Sequence, residues 1–89
     1  MVTRVIEVIA KSQRSALPYQ AIDAAARQIL RMAPGFVEQI TLAAEGQPRL
    51  VILVSLWRSE RAAGRYDQEV YPQICAALAA STLEDLTVL

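Results

Sequence analysis

The side chains able to do chemistry gather in one stretch of the chain. Trp57 is followed by Arg58, Arg61 and Arg65, then by Tyr66 and Tyr71, with Cys75, the one cysteine, just beyond. An indole offers a large apolar wall with a single N–H, a phenol offers a hydroxyl, and a guanidinium grips carboxylates and phenolates. Trp57 could therefore wall an aromatic-binding cavity, with Tyr66 and Tyr71 donating to a phenolate or carbonyl oxygen. Each residue also has a purely structural reading. Trp57 can close the end of a sheet, and the tyrosines can pack from a helix surface. If the segment is helical, Arg61 and Arg65 share a face and repel unless an anion sits between them. Alternatively, Arg65 pairs with Glu69 at i,i+4. Cys75 reads as a small apolar residue, since the sequence shows no base to activate its thiol. Glu84 and Asp85 are adjacent and point apart if extended, so they read as an exposed turn or strand edge.

What is absent narrows the chemistry further. The chain has no His and no Asn. Without His, the Ser-His and Cys-His nucleophile pairs and the usual zinc ligand sets cannot be assembled, which excludes hydrolytic triads. Nine Lys and Arg balance nine Asp and Glu. A net charge of zero argues against a polycationic binder of nucleic acid or membrane. One cysteine cannot form an internal disulfide. No apolar run approaches the ~20 residues that cross a bilayer, and Met1-Val2-Thr3-Arg4 does not resemble a signal peptide. The expectation is a cytoplasmic, reduced domain without metal or cofactor. At 89 residues it forms a single domain, 1–89.

The elements that position these residues follow from periodicity. Val5, Ile6, Val8 and Ile9 lie in a β-branched run within Val2 to Ala10, which predicts a strand. Lys11 to Ser15 reads as a turn. Pro18 suits the first turn of a helix, and Ile22, Ala25, Ala26, Ile29 and Ala33 make one apolar stripe at helical spacing. Pro34-Gly35 ends that helix. Phe36 to Glu45 alternates Ile40, Leu42 and Ala44 against Gln39 and Thr41, a half-buried strand. Gly46-Gln47-Pro48 turns the chain into the strand Arg49 to Trp57, which makes a hairpin. Ser59 caps a helix favoured by Glu60 at its positive end, with a break or kink at Tyr71-Pro72. A second helical piece carries Ile74, Cys75, Leu78 and Ala79, and Leu83 to Leu89 is a short last strand. The order β-α-β-β-α-β predicts an α+β, ferredoxin-like fold: a four-stranded antiparallel sheet with both helices on one face.

Such a sheet leaves its other face bare. A bare face exposed to water should be polar at every second position. The strand ending at Trp57 is not, because it carries Leu50, Ile52, Val54 and Leu56 on one side and Val51, Leu53 and Trp57 on the other. Leaving four large apolar side chains in water forfeits roughly 6–12 kcal/mol, at ~1.5–3 each. That rivals the whole stability of a domain, ~5–15 kcal/mol. A second copy packing sheet against sheet is the simplest cover.

Pro34-Gly35-Phe36 leading into a strand, a later strand ending in Trp57-Arg58-Ser59-Glu60-Arg61-Ala62-Ala63, and the aromatic Tyr66 resemble the antibiotic biosynthesis monooxygenase (ABM) domain family of the dimeric α/β-barrel superfamily. The resemblance implies a homodimer whose two sheets form a barrel, with a pocket in each subunit between sheet and helices. Some members oxygenate phenolic polyketides without metal or flavin, and others degrade haem. The oxygenases are associated with an Asn, a Trp and supporting Tyr and Arg residues. The haem-degrading members are associated with an Asn, a Trp and a His ligand. Trp57 matches the Trp, while the missing Asn and His argue against haem degradation and leave any orienting amide to a Gln or Ser.

The resemblance thus implies a cofactor-independent monooxygenase, or a binder, for a small aromatic or quinone-like molecule. Trp57 and Tyr66 would be its catalytic residues, with Tyr71, Arg61 and Arg65 binding substrate. The competing reading is a non-catalytic ligand-binding or assembly module of the same fold.

Overall fold

The computed structural model describes residues 1–10, 18–43, 46, 50–81 and 86–88. Strand β1 (Val2–Ala10) is followed by helix α1 (Pro18–Leu30), then β2 (Phe36–Ala43) and β3 (Leu50–Trp57). Helix α2 (Glu60–Arg65) runs through a π-helical turn (Tyr66–Val70) into α3 (Tyr71–Ser81), and β4 (Leu86–Val88) is the last described element. The expected turns at Lys11 to Ser15 and Gln47-Pro48, and the pair Glu84-Asp85, lie outside the described residues. No helix among the described residues is long and apolar enough to cross a membrane.

The four strands form one antiparallel sheet in the order β2-β3-β1-β4. Strand β3 is central and pairs along nearly its whole length with β1, from Val2 opposite Trp57 to Ile9 opposite Leu50. Both helical segments cover the same face of the sheet. Ile22, Ala26 and Leu30 from α1 join Ala63, Tyr66, Val70, Ile74 and Leu78 over Ile6, Val8, Val51, Leu53 and Trp57.

Local chemistry explains the helix ends. The Ser59 side chain accepts the Ala62 amide at 3.1 Å and caps α2. Helix α1 stops at Leu30, short of the expected Pro34-Gly35, because the next amides form tighter bonds three residues back: Met32 to Ile29 at 3.2 Å and Ala33 to Leu30 at 2.9 Å. Gly35 then takes a left-handed φ of 81°, and a Cβ there would collide with Ala62. The expected kink before Pro72 is the π turn. The Tyr71 amide bonds the Tyr66 carbonyl five residues back, widening the helix where Pro72 has no N–H to continue an α-ladder.

The two faces of the sheet differ sharply. Along β3, Val51, Leu53, Ser55 and Trp57 are buried beneath the helices, while Leu50, Ile52, Val54 and Leu56 face the other way and are only half-buried. On β2 the alternation is inverted relative to ordinary expectation. Gln39 lies inward, 4% exposed, while Ile40 and Leu42 face out at 42% and 46%. Val5, opposite Val54 in the register, is 58% exposed, so Val5, Val54 and Ile40 make an apolar row across three strands of the bare face.

Candidate functional site

Trp57 ends β3 on the covered face and is closed to solvent. Its indole N–H donates to Ser55 Oγ at 2.9 Å, two residues back on the same face. Phe36, opposite Trp57 across the sheet, presents its edge with ring centroids 5.7 Å apart. The π turn brings Tyr66 over the indole at 4.8 Å and a 36° tilt, and Tyr71 meets Tyr66 edge-on at 6.2 Å. Widening one helical turn shifts the phase of every later side chain, so the π turn lets Tyr66 and Tyr71 join one aromatic chain.

Electrostatics fix the state of these phenols. Burial, aided by Asp67, pushes the Tyr66 pKa well above the ordinary tyrosine range. Tyr66 is therefore a neutral hydroxyl at any physiological pH, a donor and not a phenolate. A hydrogen bond to Cys75, then burial, also raise the pKa of Tyr71.

A row of polar residues crosses the covered face beside Trp57. Arg4, Ser55 and Gln39 are register partners on β1, β3 and β2. Arg4 reaches outward to Asp67 on the π turn in a two-pronged pair, Nε to Oδ1 and Nη2 to Oδ2, each 2.9 Å. At the other end, Gln39 Nε2 donates to Asp23 Oδ1 at 3.0 Å and to Thr41 Oγ1 at 3.1 Å. The Thr41 hydroxyl donates in turn to Asp23 Oδ1 at 2.6 Å, and the Tyr19 hydroxyl to the Thr41 carbonyl at 2.9 Å. Hydrogen bonds from Arg27, then from Thr41 and Gln39, hold the Asp23 carboxyl below its usual range. Gln39 Oε1 is buried without a partner. Gln39 and Ser55 are the buried polar side chains of the described core.

The structure thus brings together Trp57, Tyr66 and Tyr71 among the residues singled out from sequence. Arg61 and Arg65 are exposed and lie apart from the aromatic chain. They line an open groove of about 200 Å³ with Pro34, Gly35, Ser59 and Ala62. Arg65 pairs with Glu69 at 2.7 Å, as the i,i+4 reading anticipated. A neighbouring groove of about 230 Å³ runs between the end of α1 and the π turn, over Ile29, Ala33 and Val70. Neither groove is lined by Trp57 or Tyr66. Arg4, Asp23, Gln39 and Ser55 escaped the sequence reading. The one signal that could have found them is the interruption of β3 by Ser55 and the polar alternation of β2.

These features define an α+β domain with a ferredoxin-like sheet order and an aromatic and polar layer between sheet and helices. The same fold is found in solved structures of antibiotic biosynthesis monooxygenases. SnoaB of Streptomyces nogalater, a cofactor-independent oxygenase, superposes with a TM-score of 0.66 at 17% identity, over 98% of this chain and 88% of that one. A Bordetella bronchiseptica protein assigned as an antibiotic biosynthesis monooxygenase gives 0.67 at 16% identity, over 98% and 90%. One from Deinococcus radiodurans with the same assignment gives 0.65 at 18%, over 100% and 90%. No protein-family model and no curated protein matches the chain.

Proposed function

We propose that the chain is a homodimer built by stacking two bare sheet faces into a barrel. In this reading each subunit binds a small aromatic or quinone-like molecule between sheet and helices and oxygenates it without a cofactor. The observation that carries the site is the closed Trp57–Tyr66 pair beside a buried polar row. Polar side chains in a small core are costly, and their presence next to an aromatic wall is what a polar-aromatic ligand needs. SnoaB, of similar fold, supports the reaction class by analogy. The dimer is supported by the outward row Val5, Val54 and Ile40, which no described segment covers.

In the reaction, an activated ring methylene beside a phenolate supplies the electrons. Its two C–H bonds give four electrons to dioxygen, one oxygen atom becomes the product carbonyl, and the other leaves as water with both hydrogens. The protein contributes desolvation and orientation. Trp57 walls the ring, and Tyr66 and Tyr71 donate to the anionic oxygen. Arg61 and Arg65 would take an acidic substituent at the outer groove.

A second reading, a non-catalytic binding or assembly module, is favoured by one observation: the indole N–H is already taken by Ser55. Oxygen uptake with a panel of hydroquinones and anthrone-type phenols separates the two. Turnover that falls at least about tenfold in Trp57→Phe, at equal folded fraction, supports the oxygenase. Binding without oxygen uptake by any substrate leaves the module.

A further inference from the structure

We infer that Trp57, Tyr66, Tyr71 and Cys75 form a relay that carries a one-electron oxidising equivalent out of the closed core to a thiol on the helical side of the molecule. Indole, phenol and thiol are the side chains that give up a single electron most readily, and here four of them stand in one line. Tyr66 lies over the Trp57 ring with centroids 4.8 Å apart, and Tyr71 meets Tyr66 edge-on at 6.2 Å. Cys75 follows Tyr71 at i,i+4 on α3, and the two side chains share a hydrogen bond. The line also runs outward. Trp57 and Tyr66 are buried, whereas Tyr71 and Cys75 are half-buried. The relay needs no ligand, so it goes beyond the aromatic-binding reading and stands or falls apart from it.

The surroundings of each member set the direction of travel. The indole N–H meets only a hydroxyl, Ser55 Oγ, which is no base, so an oxidised indole keeps its proton and its full pull on a neighbouring electron. Burial holds the proton on the Tyr66 hydroxyl, so an oxidised Tyr66 passes the vacancy on and does not settle as a phenoxyl. Tyr71, half-buried, can release its proton to water. The steps then balance. A dioxygen-derived radical takes one electron from Trp57 and is itself reduced. Tyr66 restores Trp57, and Tyr71 restores Tyr66 as its own O–H bond breaks and the proton leaves to water. The Tyr71 phenoxyl takes a hydrogen atom from Cys75: the S–H bond breaks, the O–H bond re-forms, and the odd electron rests on sulfur. The sum is one electron to the oxidant, one proton to water and a thiyl at Cys75, where a hydrogen atom from a solution thiol restores it. What the relay spares is Trp57, whose oxygenation would set new polar atoms in a core without partners for them.

The test is laser flash photolysis of the full chain. Trp57 is the one tryptophan, so light at the red edge of indole absorption ionises it alone, with a cobalt(III) ammine complex present to scavenge the ejected electron. In the native protein the indolyl band should decay as a phenoxyl band grows, and the spin trap DMPO should then label Cys75, read by mass spectrometry. Tyr66→Phe keeps the ring and its packing without the oxidisable phenol, and should slow the indolyl decay at least tenfold. Tyr71→Phe should cut the labelling of Cys75 at least tenfold. Tyr19→Phe, which removes the remaining tyrosine hydroxyl on α1, should change neither. An indolyl decay as fast in Tyr66→Phe as in the native protein, or slowed instead in Tyr19→Phe, overturns the route. Labelling of Cys75 that survives Tyr71→Phe overturns the exit. A native indolyl radical that persists with no phenoxyl overturns the relay as a whole.

Discussion

The two faces of the sheet each depart at a few positions from the usual arrangement of a small domain, although the covered face is apolar at Ile6, Val8, Val51, Leu53 and Trp57. The helix-covered face, where an apolar interior is expected, holds Gln39 and Ser55 in its core and Arg4 at its edge. The bare face, where polar residues are expected, presents Val5, Ile40 and Leu42, with Val54 between Val5 and Ile40 and Ile52 between Leu42 and Glu7. One face buries polar groups and the other presents apolar groups that no described segment covers. Each is a departure that costs stability in isolation, and departures from local consistency collect where proteins function. In the proposed reading the covered face takes the ligand and the bare face the second subunit.

The bare face gives the largest expected effect. Val54→Lys places a charge at the centre of the row Val5–Val54–Ile40, and burying it unpaired is expensive. Sedimentation should show the proposed dimer weakened by more than about 100-fold, whereas a native protein that sediments as a stable monomer at micromolar concentration breaks the comparison outright. On the covered side, Gly35→Ala should cost about 2–4 kcal/mol in urea unfolding. The added Cβ meets Ala62 and the backbone sits in the left-handed region, so the strand leading to Phe36 would have to move. A cost under about 1 kcal/mol would mean the contact between that turn and α2 is not what seats Phe36 against Trp57.

Asp23 sharpens the comparison through pH. Its pKa is held down in the folded state by Arg27, Thr41 and Gln39, so folding favours the ionised form. That contribution is present above the unfolded value of ~3.9 and is lost as pH falls through the lower folded value. Asp23→Asn should therefore flatten the acid loss of stability below about pH 4 in chemical unfolding, and an unchanged acid limb would remove Asp23 from the anchoring of Gln39. Smallest of all is Arg65→Ala. The Arg65–Glu69 pair is more than half exposed on both sides, so its loss should move stability by less than about 0.5 kcal/mol. A larger change would show that the outer groove, and not the covered face, carries the energetics of this segment.

Much of the fold was legible in the sequence. The β-branched runs of β1 and β3, the apolar stripe of α1, the Ser59 cap and the break before Pro72 each announce themselves through local chemistry. The aromatic chain was half legible, because Trp57, Tyr66 and Tyr71 stand out as residue types while their ring contacts depend on the phase of the π turn. Asp23 and Gln39 were not legible. Asp23 sits among the polar residues of an amphipathic helix, and nothing in that pattern reveals that it lies near enough to the sheet to hold an amide.

The sequence by itself determined that this chain alternates strands and helices in one order and that its central strand is apolar on both sides. Local backbone preference and side-chain periodicity suffice for that. Only the tertiary structure decided which way β2 faces. A period of two labels both faces of a strand equally, so turning Gln39 inward and Ile40 outward is settled by register with β3, where Gln39 must lie opposite Ser55 and Ile40 opposite Val54.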